Sequence, residues 1–169
     1  MTRADRSHTI RSVPRLISSE LAKFLESGVS VLVATRDGRM QPECARAVGA
    51  RLEAGGDEVT VFLPVATSMR VVANLGENGR IAVCFASVDH RGIQVKGQVL
   101  GVAPADACDR QLVDRYRAAV AQEWGFVGLP PRITYRMNHW PCHAVRLRIE
   151  AVYVQTPGPG AGEPLRAAR

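Results

Sequence analysis

Residues 43–70, ECARAVGARLEAGGDEVTVFLPVATSMR, constrain this chain more than any other stretch. They read as two extended segments folded back on each other and running straight into a helix. Val59, Val61, Leu63 and Val65 alternate with Thr60, Phe62 and Pro64, the period of two that gives a strand one buried face. Residues 53–57, with Gly55-Gly56 at their centre, supply the hairpin turn. After Val65 the period changes. Thr67 and Ser68 are good N-cap residues, and Met69, Val72 and Ala73 recur at helical spacing.

A strand delivered into a helix start brings chemistry with it. The first backbone N–H groups of a helix lack partners and sit at the positive end of the dipole, so they suit an anion. Thr67 and Ser68 add hydroxyl donors and Arg70 adds a fixed charge, while Arg46 and Arg51 lie on the neighbouring strand. Converging, these groups would hold a phosphate. An ordinary capped helix with solvated arginines uses the same residues, and spacing does not separate the two. Arg46 and Arg51 are also five positions apart, so an unbroken strand points them to opposite faces. Either a bulge at Gly49 brings both to one side, or one of them serves elsewhere.

The remaining elements follow in order. Residues 1–17 form a polar, basic arm. Ser18 or Ser19 caps a short helix carrying Leu21, Phe24 and Leu25, and residues 29–35 are the first strand. Arg36-Asp37-Gly38-Arg39 turns that strand into the one over 43–53. A helix over 68–75, closed by Gly76 and Gly79, leads into a strand at 81–85. A long strand over 93–103 carries Gly97 and Gly101, which mark a bend or bulge. Asp106 caps the longest helix, to about residue 124, with an apolar stripe through Cys108, Leu112, Tyr116 and Val120. Residues 125–142 are irregular, the last strand spans 143–155, and residues 157–169 are a Gly/Pro-rich tail. Roughly six antiparallel strands with peripheral helices make a mainly β fold, a small six-stranded barrel over residues 18–156.

Composition narrows the partners. The net charge of +6 admits nucleic acid or a phosphorylated small molecule, but the basic residues are scattered and only 5% of the chain is aromatic. No nucleic acid is therefore expected. Four cysteines without a CxxC pair, and an opening without an apolar signal core, fit a reduced cytoplasmic protein with buried thiols. No apolar run is long enough to span a membrane. Dinucleotide and nucleoside-triphosphate loops are missing. His139-Trp140-Pro141-Cys142-His143 offers good metal ligands but no second cluster to complete a set, so no metal is expected. Asp89-His90-Arg91 reads as a polar turn, and no catalytic residue is assigned.

Taken in order, the motifs resemble the FMN-binding split barrels related to pyridoxamine 5′-phosphate oxidase. Arg46-Ala47-Val48-Gly49-Ala50-Arg51 is similar to that family's Arg-x-Val-x-x-Lys strand, and Ser68-Met69-Arg70 to its Ser-Arg-Lys phosphate motif. Asn74-Leu75 with Asn78-Gly79-Arg80-Ile81-Ala82, and Gln94-Val95-Lys96-Gly97, resemble its next two passages. The resemblance implies FMN, with a deazaflavin as the alternative cofactor. It implies that Arg46, Ser68 and Arg70, with Thr67 beside them, hold the phosphate. The backbone at Ala47 and Val48 would run along the ring, Arg51 would sit at its pyrimidine edge, and Gln94 would donate to a ring atom. Met69 stands where the family has Arg, and the C-terminus lacks the oxidase's closing Arg-Leu-x-Pro strand, so vitamin B6 oxidation is not expected. What remains is a flavin-dependent oxidoreductase acting on an unidentified small organic substrate. A non-catalytic flavin carrier or sensor is the alternative of a different class.

Assembly has a physical argument of its own. Val31 and Val33 alternate with Leu32 and Ala34, and Ile81, Val83 and Phe85 with Ala82, Cys84 and Ala86. Strands apolar on both faces need both faces covered. The barrel interior covers one; the long helix or a partner must cover the other. The expectation is a homodimer with flavin at its interface.

Overall fold

The computed structural model describes residues 17–165. Its strands are β1 (Ser30–Arg36), β2 (Pro42–Ala47), β3 (Ala50–Leu52), β4 (Glu58–Pro64), β5 (Arg80–Ala86), β6 (Gly92–Pro104) and β7 (Cys142–Val154). They form one antiparallel sheet in the order β2-β1-β5-β6-β7-β4-β3. The two outermost strands, β2 and β3, are neighbours in sequence, so the sheet must curl until its ends meet. They meet at Val48-Gly49. The Val48 N–H donates to Phe62 O at 2.8 Å, and the Phe62 N–H donates to Gly49 O at 3.0 Å. Seven strands thus replace the expected six because the strand over 43–53 breaks at this corner, its first part pairing with β1 and its last with β4.

Gly49 permits the corner. Its φ of 144° lies where side-chain-bearing residues rarely go, and a Cβ there would meet Leu112 Cδ2 at 3.1 Å. The interior is filled chiefly from β1, β4, β5, β6 and β7: Val31, Val33, Val59, Val61, Leu63, Val83, Phe85, Val95, Val145 and Leu147 are fully buried. Each such side chain contributes about 1.5–3 kcal/mol by leaving water. β6 carries register shifts at Lys96/Gly97 and Val99/Gly101, where the glycines had pointed to a bend.

The helices sit at the rim. α1 (Ser19–Leu25) is capped by Ser18, whose hydroxyl accepts from Leu21 N–H. α2 (Met69–Asn78) is longer than the sequence indicates: Gly76 lies within it, and Gly79, left-handed at φ 65°, ends it. Residues 65–67 form a 3-10 turn, and the Ser68 hydroxyl donates to Pro64 O instead of capping the helix. α3 (Ala107–Gly125) opens on a reciprocal capping box between Asp106 and Asp109. Its buried stripe is Asp109, Val113, Tyr116 and Val120, whereas Cys108 is exposed, so the expected stripe is rotated. A short α4 (Pro131–Arg136) interrupts the stretch read as irregular. Of the four thiols only Cys142 is buried; Cys44 and Cys108 are exposed and Cys84 half-buried, contrary to the expectation of buried thiols.

Both chain ends refine the expected boundaries. Ile17, placed in the N-terminal arm, is buried in the core at 3% exposure; the rest of that arm lies outside the described residues. The tail folds back along β7: Val154 N–H donates to Glu163 O, Gly162 N–H to Val154 O and Leu165 N–H to Val152 O. Among the described residues no helix is long and apolar enough to cross a membrane.

α3 presses on the barrel closely enough to forbid a side chain at Gly28, where a Cβ would lie 2.6 Å from the Ala119 carbonyl carbon. Gly28→Ala should therefore cost about 1–3 kcal/mol, the scale of overpacking. Gly101→Ala, whose Cβ meets nothing within 4 Å, should change little. Chemical denaturation of the two variants checks the contrast.

Candidate functional site

Three of the residues named from sequence share one recess. Arg46, Ala47 and Val48 line a narrow pocket of only about 20 Å³ against Tyr116, Arg117, Val120 and Trp124 of α3 and Thr134, Met137, Asn138 and His139. The Arg46 guanidinium lies 5.1 Å over the Trp124 ring and donates to Ser30 Oγ at 3.3 Å. It has no carboxylate within ion-pair reach among the described residues.

Arg51 goes elsewhere. Its guanidinium bonds Asp109 Oδ1 at 2.6 Å and Glu53 Oε1 at 3.4 Å. Burial works against the charge on Arg51, but the Asp109 hydrogen bond and the two nearby carboxylates outweigh it and raise its pKa. The corner at Gly49 does turn both arginines toward α3, but toward opposite ends. Arg51 meets Asp109 in the first turn and Arg46 meets Trp124 in the last, about 22 Å apart at helical rise.

Thr67, Ser68 and Arg70 stand at the start of α2. Thr67 is exposed, Ser68 is buried on Pro64 O, and Arg70 pairs with Glu43 at 2.9 Å with its side chain 83% exposed. Gln94 lies in the same row as Arg46. Strand pairing sets Arg46, Leu32, Cys84, Gln94 and Tyr153 side by side across β2, β1, β5, β6 and β7. This row faces away from the core. Leu32 is 41% exposed, Ala34 and Ala86 are exposed, and the Gln94 amide reaches Cys84 Sγ at 3.2 Å. On the same face a cleft of about 470 Å³ runs over Ala34, Ala82 and Gly97, rimmed by Arg36, Arg80 and Lys96. α3 does not cover this face; it lies across the β2–β3 corner.

Neither the family models nor the curated proteins contain a match to this chain. Solved structures do match. HupZ from Group A Streptococcus is 20% identical over 86% of this chain and 99% of its own, with a TM-score of 0.52. An F420 reductase is 18% identical over 77% and 93%, TM-score 0.52. An FMN-binding protein from Syntrophomonas wolfei is 16% identical over 82% and 88%, TM-score 0.50. The chain folds as a split barrel of the pyridoxamine 5′-phosphate oxidase type. At these identities the likeness carries the fold alone.

Within the split barrel, α3 supplies residues that sequence reading did not assign to the site: Arg117 and Trp124 beside Arg46, and Asp109 on Arg51. The available signal was the helix period, which places Asp109, Val113, Tyr116 and Val120 on one stripe with Arg117 at its border. Trp140 packs against the core with the Arg110 guanidinium 5.4 Å over its ring. Among the described residues no group of three His, Cys, Asp or Glu is placed to hold a metal.

Two tests follow from the way α3 is held. Asp109→Ala removes the capping box and the Arg51 pair together, and should cost about 1–3 kcal/mol. Arg51, 40% exposed at its side chain, should cost less when replaced by Ala, and the double variant less than the sum. Denaturant midpoints of the cycle check this. The second test concerns alkali. Burial pushes the Tyr116 phenol, which donates to Val29 O at 2.6 Å, from 10.0 to about 12. Burial, with Asp109 adding to it, pushes the Cys142 thiol from 9.0 to about 12. For both groups the fold holds a proton that the unfolded chain releases first. Their stabilisation is complete below about pH 9 and is lost as pH rises toward 12. Tyr116→Phe should flatten the fall between pH 10 and 12 by about 2–3 kcal/mol, measured by unfolding at fixed alkaline pH values.

Proposed function

We propose that the chain binds a flavin on the outer face of its barrel, as one half of a two-fold dimer, and serves as an oxidoreductase for a small organic substrate. The observation that carries this reading is the outward-facing row from Arg46 to Gln94, in which Arg46, Cys84 and Gln94 are half-buried and Leu32 is exposed. Small side chains at Ala34, Ala82, Cys84 and Ala86 leave a flat apolar floor, with a guanidinium at one end and an amide near the other. A planar aromatic ring with a phosphate on its side chain matches that pattern of floor and charge. An apolar floor of this kind is poorly served by water, and a second copy of the same face is the symmetric way to cover it.

FMN is the first candidate, supported by the likeness to an FMN-binding protein. A deazaflavin is the second, supported by the likeness to an F420 reductase. Either supplies, when bound, a ring that accepts or gives hydride itself. The chain's part is to bind, orient and exclude water. Arg46 is the phosphate ligand, the Ala47–Val48 backbone borders the ring, and Gln94 donates its amide to a ring acceptor. Arg70 can join them by giving up its exposed pair with Glu43, which is worth little in water. Arg51 stays with Asp109 and positions α3.

Sedimentation with detection at the flavin absorbance band tests the reading. FMN or the deazaflavin should travel with a dimer and be released on dilution as the dimer parts. Flavin carried at full occupancy by a monomer would rule the arrangement out.

A further inference from the structure

We infer that residues 126–135, the loop from α3 into α4, dock this chain on an anionic lipid surface. Among the described residues ten large apolar side chains are exposed, and five of them, Phe126, Val127, Leu129, Ile133 and Tyr135, fall in this one segment. Scattered singly, exposed apolar residues are ordinary; gathered on one loop they mark a contact surface. Phe126, at 73%, and Val127, at 57%, are the most exposed of the five.

The backbone of the loop is closed on itself. The N–H groups of Phe126, Val127, Gly128 and Leu129 donate to Glu123 O, Trp124 O, Gly125 O and Trp124 O at 3.0–3.2 Å. Pro130 and Pro131 have no N–H, and Ile133 donates to Pro130 O at 3.0 Å. A segment that enters an apolar layer must satisfy its donors internally, because nothing there replaces water. A loop that stays in water has no such need.

The segment is also cationic without a counter-charge. Arg132 and Arg136 are exposed and have no carboxylate within ion-pair reach among the described residues. The sequence runs from Trp124 to Ile149 without an Asp or Glu. Apolar side chains bordered by arginines suit the boundary between acyl chains and anionic headgroups. Tyr135, half exposed with its ring 5.3 Å from the Arg117 guanidinium carbon, is the amphipathic kind of ring that settles at headgroup level. The outer face of a second copy is the poorer match in charge. Its cleft carries Arg36, Arg80 and Lys96, and its one carboxylate, Glu150, is already paired to Arg80.

The full chain is mixed with vesicles of phosphatidylcholine, alone or with phosphatidylglycerol, and bound protein is read by flotation. The wild type should float with the anionic vesicles far better than with the neutral ones, and should leave them as salt rises. Phe126→Ser should weaken binding about ten- to a hundredfold, the scale of burying one large apolar side chain. Arg132→Gln combined with Arg136→Gln should cost about twenty-fivefold on anionic vesicles, at about fivefold per arginine, and nothing on neutral ones. All three side chains are exposed, so the barrel should fold without them. Phe126→Trp reports depth: against the wild type, its added emission should shift to the blue and be quenched by brominated acyl chains.

A wild type that stays behind when anionic vesicles float would overturn the inference, as would a Phe126→Trp chain that floats without quenching. Should Phe126→Ser split a wild-type dimer in sedimentation and leave vesicle binding unchanged, the patch belongs to a second copy and the inference falls as well.

Discussion

Two backbone hydrogen bonds, from Val48 to Phe62 and from Phe62 to Gly49, turn this sheet into a barrel. Without them β2 and β3 would be free edges at opposite ends of a seven-stranded ribbon. Joined, they give one strand that changes partners at a corner and leaves little unpaired backbone there. The corner needs a residue with φ near 144° and no side chain, and Gly49 meets both conditions because Leu112 and Tyr116 of α3 occupy the space a Cβ would take. Closure and helix docking are therefore a single event in packing terms.

The candidate site inherits its shape from that event. α3 runs past the corner with Asp109 at one end and Trp124 at the other, so the two arginines flanking Gly49 are divided between its ends. One becomes a structural tie and the other is left with an aromatic ring and a hydroxyl. The same division leaves the outer face of β1, β5 and β6 open, because the helix that might have covered it is spent on the corner.

Much of the fold was legible in the sequence. The strand at 81–85, the Asp106 cap and the bulge glycines of β6 all act locally, through period, cap chemistry and backbone freedom, and each is written in adjacent residues. The strand at 59–64 forms too, but it is buried on both faces, Thr60 and Phe62 as well as Val59, Val61 and Leu63, where the alternation gives one. The ordered motifs led to the split barrel for the same reason. What sequence did not fix was which contacts form across long separations. Arg51 and Asp109 lie 58 positions apart, and nothing near either residue announces the other. Arg46 and Arg51 alternate ambiguously because only the packed helix decides where each fork ends. Ser68 looks like a cap, yet the 3-10 turn before it presents Pro64 O to its hydroxyl. The thiols were read as buried from their chemistry, but Cys44 and Cys84 fall on the outer face of their strands by register alone.

The fold-back of the tail has a consequence for how the barrel behaves toward other chains. β4 pairs with β7 only as far as Arg148, so residues near Val152 and Val154 would show unpaired backbone along one side of a long apolar strand. Such a border recruits stray strands and seeds aggregation. Residues 162–165 take up those groups, and they are poor templates themselves: Gly162 sits at φ 87° and Pro164 has no N–H to offer. A stretch too irregular to be a strand thus acts as a hem, finishing the cloth where a regular strand would only have moved the raw border outward.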